Sequence, residues 1–236
     1  MRKVPLTFIV LIALFAVGYG FYAATYKPHQ AVEQQAYERF THLPGYRLIK
    51  QQDPELWHDL SETFRRSFAE DASFQKAVGE VRGQLTALVN LRIVKADDTT
   101  VTNYIAVAVQ QMQALNNISA ESCFRFLYPQ VSGGVNIGVL LSPEMNDADQ
   151  QALEALFTHS LGHEYPRDVA AAHASLSQVV SELYPQWGNQ LQQLNQSEDL
   201  ATDHQKLCIM SIDLYRTILK LPKPAAANLI RQMVVG

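Results

Sequence analysis

Residues 97–129, DDTTVTNYIAVAVQQMQALNNISAESCFRFLYP, carry the pattern that decides the fold class. Val101, Tyr104, Ile105, Ala108, Met112 and Leu115 recur at steps of three and four, the period of an amphipathic helix with one buried face. Asp97, Asp98 and Thr99 open the run, and side chains of this type accept hydrogen bonds from the otherwise unpaired N–H groups of a first turn. A shorter helical segment follows from Ser119 to Tyr128 and ends at Pro129.

The same period extends in both directions. Towards the N-terminus, Val32, Ala36, Phe40 and Leu43 form a stripe that stops at Pro44-Gly45. Leu56, Leu60, Phe64 and Phe68 form another behind Asp53-Pro54, an N-cap followed by a proline suited to the first helical position. Phe74, Val78, Val81, Leu85, Leu88 and Val89 read as one longer helix. Towards the C-terminus, QVSGGVNIGVLLSP (130–143) is the least helical stretch, and its glycines and β-branched residues predict a loop or a short extended run over 135–141. Ser142-Pro143 starts the next helix, with Leu153, Leu156, Phe157 and Leu161 on its inner face. Pro166 starts another, which holds Val169, Ala172, Leu176, Val179 and Leu183 before Pro185. A final pair covers about 199–221 and 224–235. The prediction is an all-α domain of about nine helices.

The N-terminus is different in kind. No charged residue occurs from Val4 to Tyr26, and a helix over residues 6–26, rising ~1.5 Å per residue, is long enough to cross a hydrocarbon core of about 30 Å. Arg2 and Lys3 precede it, so the positive-inside rule keeps the N-terminus in the cytoplasm and sends the rest outside. Tyr19, Phe21, Tyr22 and Tyr26 fit the aromatic belt of a membrane interface. The rival is a signal peptide cut near Ala16-Val17-Gly18. The expected layout is an anchor over 1–26, single-pass in the inner (cytoplasmic) membrane, and an exported domain over 27–236 facing the periplasm or an equivalent space.

Composition excludes several functions. The chain is 18% charged, below the roughly 25% usual for soluble domains. Leaving out Arg2 and Lys3, 17 basic and 23 acidic residues remain, a net charge of −6. No basic cluster exceeds Arg65-Arg66, so there is no footprint for nucleic-acid phosphates. SGGVNIG (132–138) lacks both GxGxxG and the GK[ST] ending of a phosphate loop. No GxSxG occurs, and SFQK (73–76) has neither of its usual companions, SDN and KTG. No cofactor is implied.

Cys123 and Cys208 are the only cysteines. In an oxidising compartment they are expected to pair and to staple the short middle helix to the long penultimate one.

HSLGHEYPRD (159–168) is where candidate metal ligands crowd. His159 and His163 are four apart, so a continuous helix would place them on one face, with Glu164 and His173 as further donors. The order matches neither HExxH nor HxxEH. Gly162 reads as a left-handed C-terminal residue that ends the helix before His163, and the stretch then reads as a helix junction. His58 and Glu62 read as a surface pair at i,i+4. Trp187, in the proline- and glycine-punctuated YPQWGNQ, is the aromatic expected to meet a partner.

The expectation is a membrane-anchored protein that works by binding another envelope protein, as scaffold, assembly factor or immunity-type inhibitor. The net −6 favours a basic, salt-sensitive partner. An envelope hydrolase built on the His/Glu cluster, with or without zinc, and a carrier of an apolar ligand within the helices are the alternatives.

Overall fold

The computed structural model describes residues 30–128, 134–195 and 203–235. The expected anchor over residues 6–26 lies outside them. Among the described residues no helix is long and apolar enough to cross a membrane.

Twelve α-helices and one 3₁₀ helix are present among the described residues, with no strand. They are α1 (30–41), α2 (Pro44–Gln52), α3 (Pro54–Asp71), α4 (Phe74–Gly83), α5 (Thr86–Ile93), α6 (Asp98–Ile118) and α7 (Ala120–Leu127). The remainder are α8 (Ile137–Leu140), α9 (Pro143–Thr158), α10 (Val169–Trp187), the 3₁₀ helix Gly188–Asn195, α11 (His204–Lys220) and α12 (Lys223–Val235). The all-α class holds; the expected number of about nine does not. Pro44 does not merely end α1 but occupies the first turn of a helix of its own, where its missing N–H costs nothing. The stripe from Phe74 to Val89 breaks after Gly83 into α4 and α5. The stretch expected to be a loop or a short extended run over 135–141 contains one helical turn, α8.

The helix starts follow local chemistry. Asp53, Ser73, Asp97, Ser119, Ser142, Asp168 and Asp203 each accept a hydrogen bond from the N–H three residues on. Each such cap is worth about 1 kcal/mol. Three ends differ from expectation. α9 stops at Thr158, with His159 as its cap, and Gly162 is not among the residues with positive φ. α10 starts at Val169 behind Asp168, not at Pro166. It also runs through Pro185 to Trp187, where Gly188 at φ 53 and ψ −138 halts it.

Two cores organise the packing. In the first, α1–α4 gather Phe40, Tyr46, Ile49, Trp57, Leu60, Phe64 and Phe68 with Leu153 and Phe157 of α9. Phe40 is stacked on Phe64 with centroids 4.4 Å apart and on Trp57 at 5.1 Å. The second core surrounds α6, whose Val101, Ile105, Val109, Met112 and Leu115 meet α9, α11 and α12. Tyr104 and Val89 touch both cores. Cys123 of α7 and Cys208 of α11 are bonded, with Cα atoms 5.9 Å apart, so the expected staple is present.

Candidate functional site

The stretch 159–168 forms a strap laid against the start of α6 and the residues before it. The His159 Nδ1 atom lies 3.4 Å from Asp97 Oδ2, at the start of α6. Tyr165 donates its backbone N–H to the carbonyl of Val94 at 3.0 Å, and its ring lies under the Arg231 guanidinium at 4.6 Å. Asp168 and Asn228 exchange two hydrogen bonds, of 3.0 and 2.8 Å. His163 and Glu164 are exposed in the irregular segment between α9 and α10, and His173 is exposed on α10. Because α9 ends at Thr158, five residues before His163, the i,i+4 geometry with His159 never forms. Among the described residues no three His, Cys, Asp or Glu side chains gather as a cation-binding set.

Asp97 shows how tightly the strap's receiving end is bonded. Its carboxylate accepts the Thr100 N–H at 2.9 Å and the Thr100 hydroxyl at 2.8 Å. Partial burial opposes ionisation, but the two Thr100 bonds and the neighbouring His159 outweigh it and hold the carboxyl below the usual aspartate range.

Trp187 stands in a helix where a loop was expected. It is the last residue of α10, half-buried, with its indole N–H donated to Asp213 at 3.0 Å and its ring against the second core. Tyr184, one turn earlier, is the exposed aromatic, at 53%. His58 is exposed on α3.

One polar group was not legible in the sequence. Arg82 of α4 and Asp149 of α9 form a two-point ion pair, with Arg82 Nη2 2.6 Å from Asp149 Oδ1. Gln111 of α6 donates to the same oxygen at 3.0 Å. Asp149 is 2% and Gln111 1% exposed. Tyr46 and Tyr104 stand close enough to feel both charges. Burial pushes the Tyr46 phenol well above its ordinary value and that of Tyr104 up to about 12. The group lies where α2, α4, α6 and α9 converge, with Asp149 and Gln111 buried and Arg82 partly exposed.

One feature open to solvent is an apolar row along the flank of α10. The helix packs on α11, α12 and the following 3₁₀ helix, which take Ala172, Val179 and Leu183. Bordering that buried stripe, Val169 is exposed at 48%, Leu176 at 37%, Val180 at 38% and Tyr184 at 53%. Leu161 and Tyr165 of the strap, exposed at 65% and 40%, precede them in the chain. Between Val169 and Trp187 the only carboxylate is Glu182, and there is no lysine or arginine. Glu182 is paired with Lys220 of α11 at 2.6 Å. An exposed row of large apolar side chains on a helix this free of charge is what interaction surfaces present.

Compared with known proteins, the chain matches no family model, no curated protein and no solved structure.

Proposed function

We propose that this chain is a membrane-anchored, extracytoplasmic helical protein that acts by binding another protein, and that it does so through the exposed apolar flank of α10. The observation that carries the reading is the row Val169, Leu176, Val180 and Tyr184, half-exposed on a helix whose single carboxylate is already neutralised. Two features support the setting. The uncharged stretch from Val4 to Tyr26 has the length of a single span, and a bonded Cys123–Cys208 pair belongs to an oxidising compartment. A tether of this kind holds the domain close to partners in the same membrane and raises their effective concentration. Scaffold, assembly factor and immunity-type inhibitor all share this physical basis.

The test is cross-linking in native membranes with a photoreactive residue in place of Val180, compared with one in place of His58 on α3. The expected result is a discrete protein adduct from position 180 and none from position 58. Equal labelling from both positions, or none from either, contradicts the reading.

A further inference from the structure

We infer that the end of the domain where α1 begins and α3 finishes lies on the membrane, with Arg65 and Arg66 against the phosphates of lipid headgroups. This rests on the reading of residues 6–26 as a membrane span and adds the surface that the span brings to the bilayer.

Chain length limits the choice. A span that ends at Tyr26 leaves four chain steps before Gln30, the first residue of α1. At ~3.5 Å per step even a fully extended chain covers no more than about 14 Å, and the headgroup layer occupies roughly 5–8 Å of that distance. The start of α1 is therefore held at the headgroups.

Packing decides which residues come with it. Tyr37 donates its hydroxyl to Ser61 at 3.2 Å and lies under the Arg65 guanidinium at 4.2 Å. Phe40, further along α1, is stacked at 5.1 Å on Trp57, further back along α3. The two helices thus run antiparallel. Gln30 stands seven residues, about 10 Å, before Tyr37, which sets the first turn of α1 level with the end of α3. Arg65, Arg66 and Ala69 of α3 are exposed, as are Gln30 and Val32 of α1.

Charge agrees with this orientation. The net −6 is not shared evenly. Residues 27–96 hold ten basic and nine acidic residues, a net of +1, and residues 97–236 hold seven and fourteen, a net of −7. A chain with halves this different turns the less negative one to a membrane surface. Glu70 and Asp71, at the end of α3, are both answered by Lys76, at 3.8 and 3.0 Å. The ion pairs among the described residues leave out Arg65 and Arg66. Stacking on Tyr37 uses the face of the Arg65 guanidinium, and its N–H edge is the part that pairs with phosphate. Glu33 and Glu62 lie on the same two helices, so the attraction is to individual phosphates and not to a broad basic field.

The experiment uses the full-length protein reconstituted in vesicles of phosphatidylcholine and phosphatidylglycerol, part of the lipid carrying a nitroxide on its headgroup. A fluorophore is attached at Ala69→Cys or, for comparison, at Ser177→Cys, an exposed position on α10. The expected result is several-fold stronger quenching at position 69 than at 177. Arg65→Glu with Arg66→Glu is expected to remove most of that excess. Arg65→Gln with Arg66→Gln takes away the charge with less disturbance to the fold and is expected to act in the same direction. Equal quenching at the two positions overturns the proposal, as does quenching at 69 that neither pair of changes reduces. Alkaline carbonate separates this failure from that of the anchor. A chain released by it does not span, which overturns the anchored setting together with this inference. A chain retained without quenching at 69 overturns this inference alone.

Discussion

Arg82 and Asp149, 67 residues apart in sequence, face each other as a buried two-point ion pair between α4 and α9. The pair and Gln111 tie α4 to α6 and α9. Burying two charges removes their hydration, and the mutual attraction repays it only while both partners are present. Asp149→Ala is therefore expected to cost about 3 kcal/mol, because it strands the guanidinium. Replacing both residues with apolar ones of similar volume is expected to cost less than the single change. Urea denaturation of the three proteins measures this, and a double variant no more stable than Asp149→Ala contradicts it.

Asp97 gives a pH-dependent prediction. Its carboxyl is held below the ordinary range in the folded protein. The stability that this contributes is fully present above the unfolded value, near pH 4, and disappears as pH falls through the lower folded value. Asp97→Ala is expected to cost about 1 kcal/mol at neutral pH through loss of the α6 cap. The gap between wild type and variant should shrink steadily below about pH 4. A difference in melting temperature that is constant from pH 7 to pH 2 would show that the cap does not act through its charge.

The Cys123–Cys208 bond spans 85 residues of sequence and ties α7 to the first half of α11. His204, one turn before Cys208, adds a ring stack on Phe124 at 3.7 Å and a 2.8 Å contact with Glu121. The bonds donated by Arg125 and His204 hold the Glu121 carboxyl below the usual range. Cross-linking a loop of this length restricts the unfolded chain, and replacing both cysteines by alanine is expected to lower stability by roughly 2–4 kcal/mol. Melting with and without reductant checks it: reductant should lower the wild type towards the double variant and leave the variant unmoved.

How much of this was legible in sequence follows from where the information is local. Asp53, Asp97 and Ser142 announced their helices because a cap is made within four residues. Cys123 and Cys208 had only each other to pair with. Helix ends were harder. Thr158 ends α9 because His159 and Tyr165 are drawn to Asp97 and Val94, and nothing within the stretch itself encodes those contacts. Pro185 looked like a stop, yet α10 tolerates it two residues from its end. Arg82, Gln111 and Asp149 were invisible as a group because each sits on a different helix, and only packing assembles them. Trp187 and Tyr184 share one segment, and which of them turns outward depends on Asp213, a residue of α11.

Backbone conformation supplies a pair of opposite predictions. Ala72 caps α3 at φ 55 in the left-handed region, where a Cβ crowds the following carbonyl. Ala72→Gly is expected to stabilise the protein by up to about 1 kcal/mol, since glycine takes this cap without that strain. Gly188 ends α10 at φ 53 and ψ −138, with no atom within 4 Å of where a Cβ would stand. Gly188→Ala is therefore expected to lose about 1–3 kcal/mol through backbone strain alone. Thermal unfolding should move in opposite directions for the two variants.

Gly45 tests the same residue type for a different reason. It has no positive φ, so what requires glycine there is the approach of α2 to α9. A Cβ at this position would stand 2.6 Å from Leu153 Cδ2 and 2.8 Å from its Cγ. Leu153 is itself buried in the first core, at 2% exposure, with Phe157 one turn further along α9. It has little room to turn aside, and one extra methyl in a packed core typically costs about 1–3 kcal/mol. Gly45→Ala is expected to lower stability by that amount, even though alanine is the better helix former in isolation. Pairing it with Leu153→Ala removes the clash and opens space, so the two changes together should cost less than the sum of the two measured separately. Additive losses in denaturation would mean that α2 and α9 do not meet at these two residues.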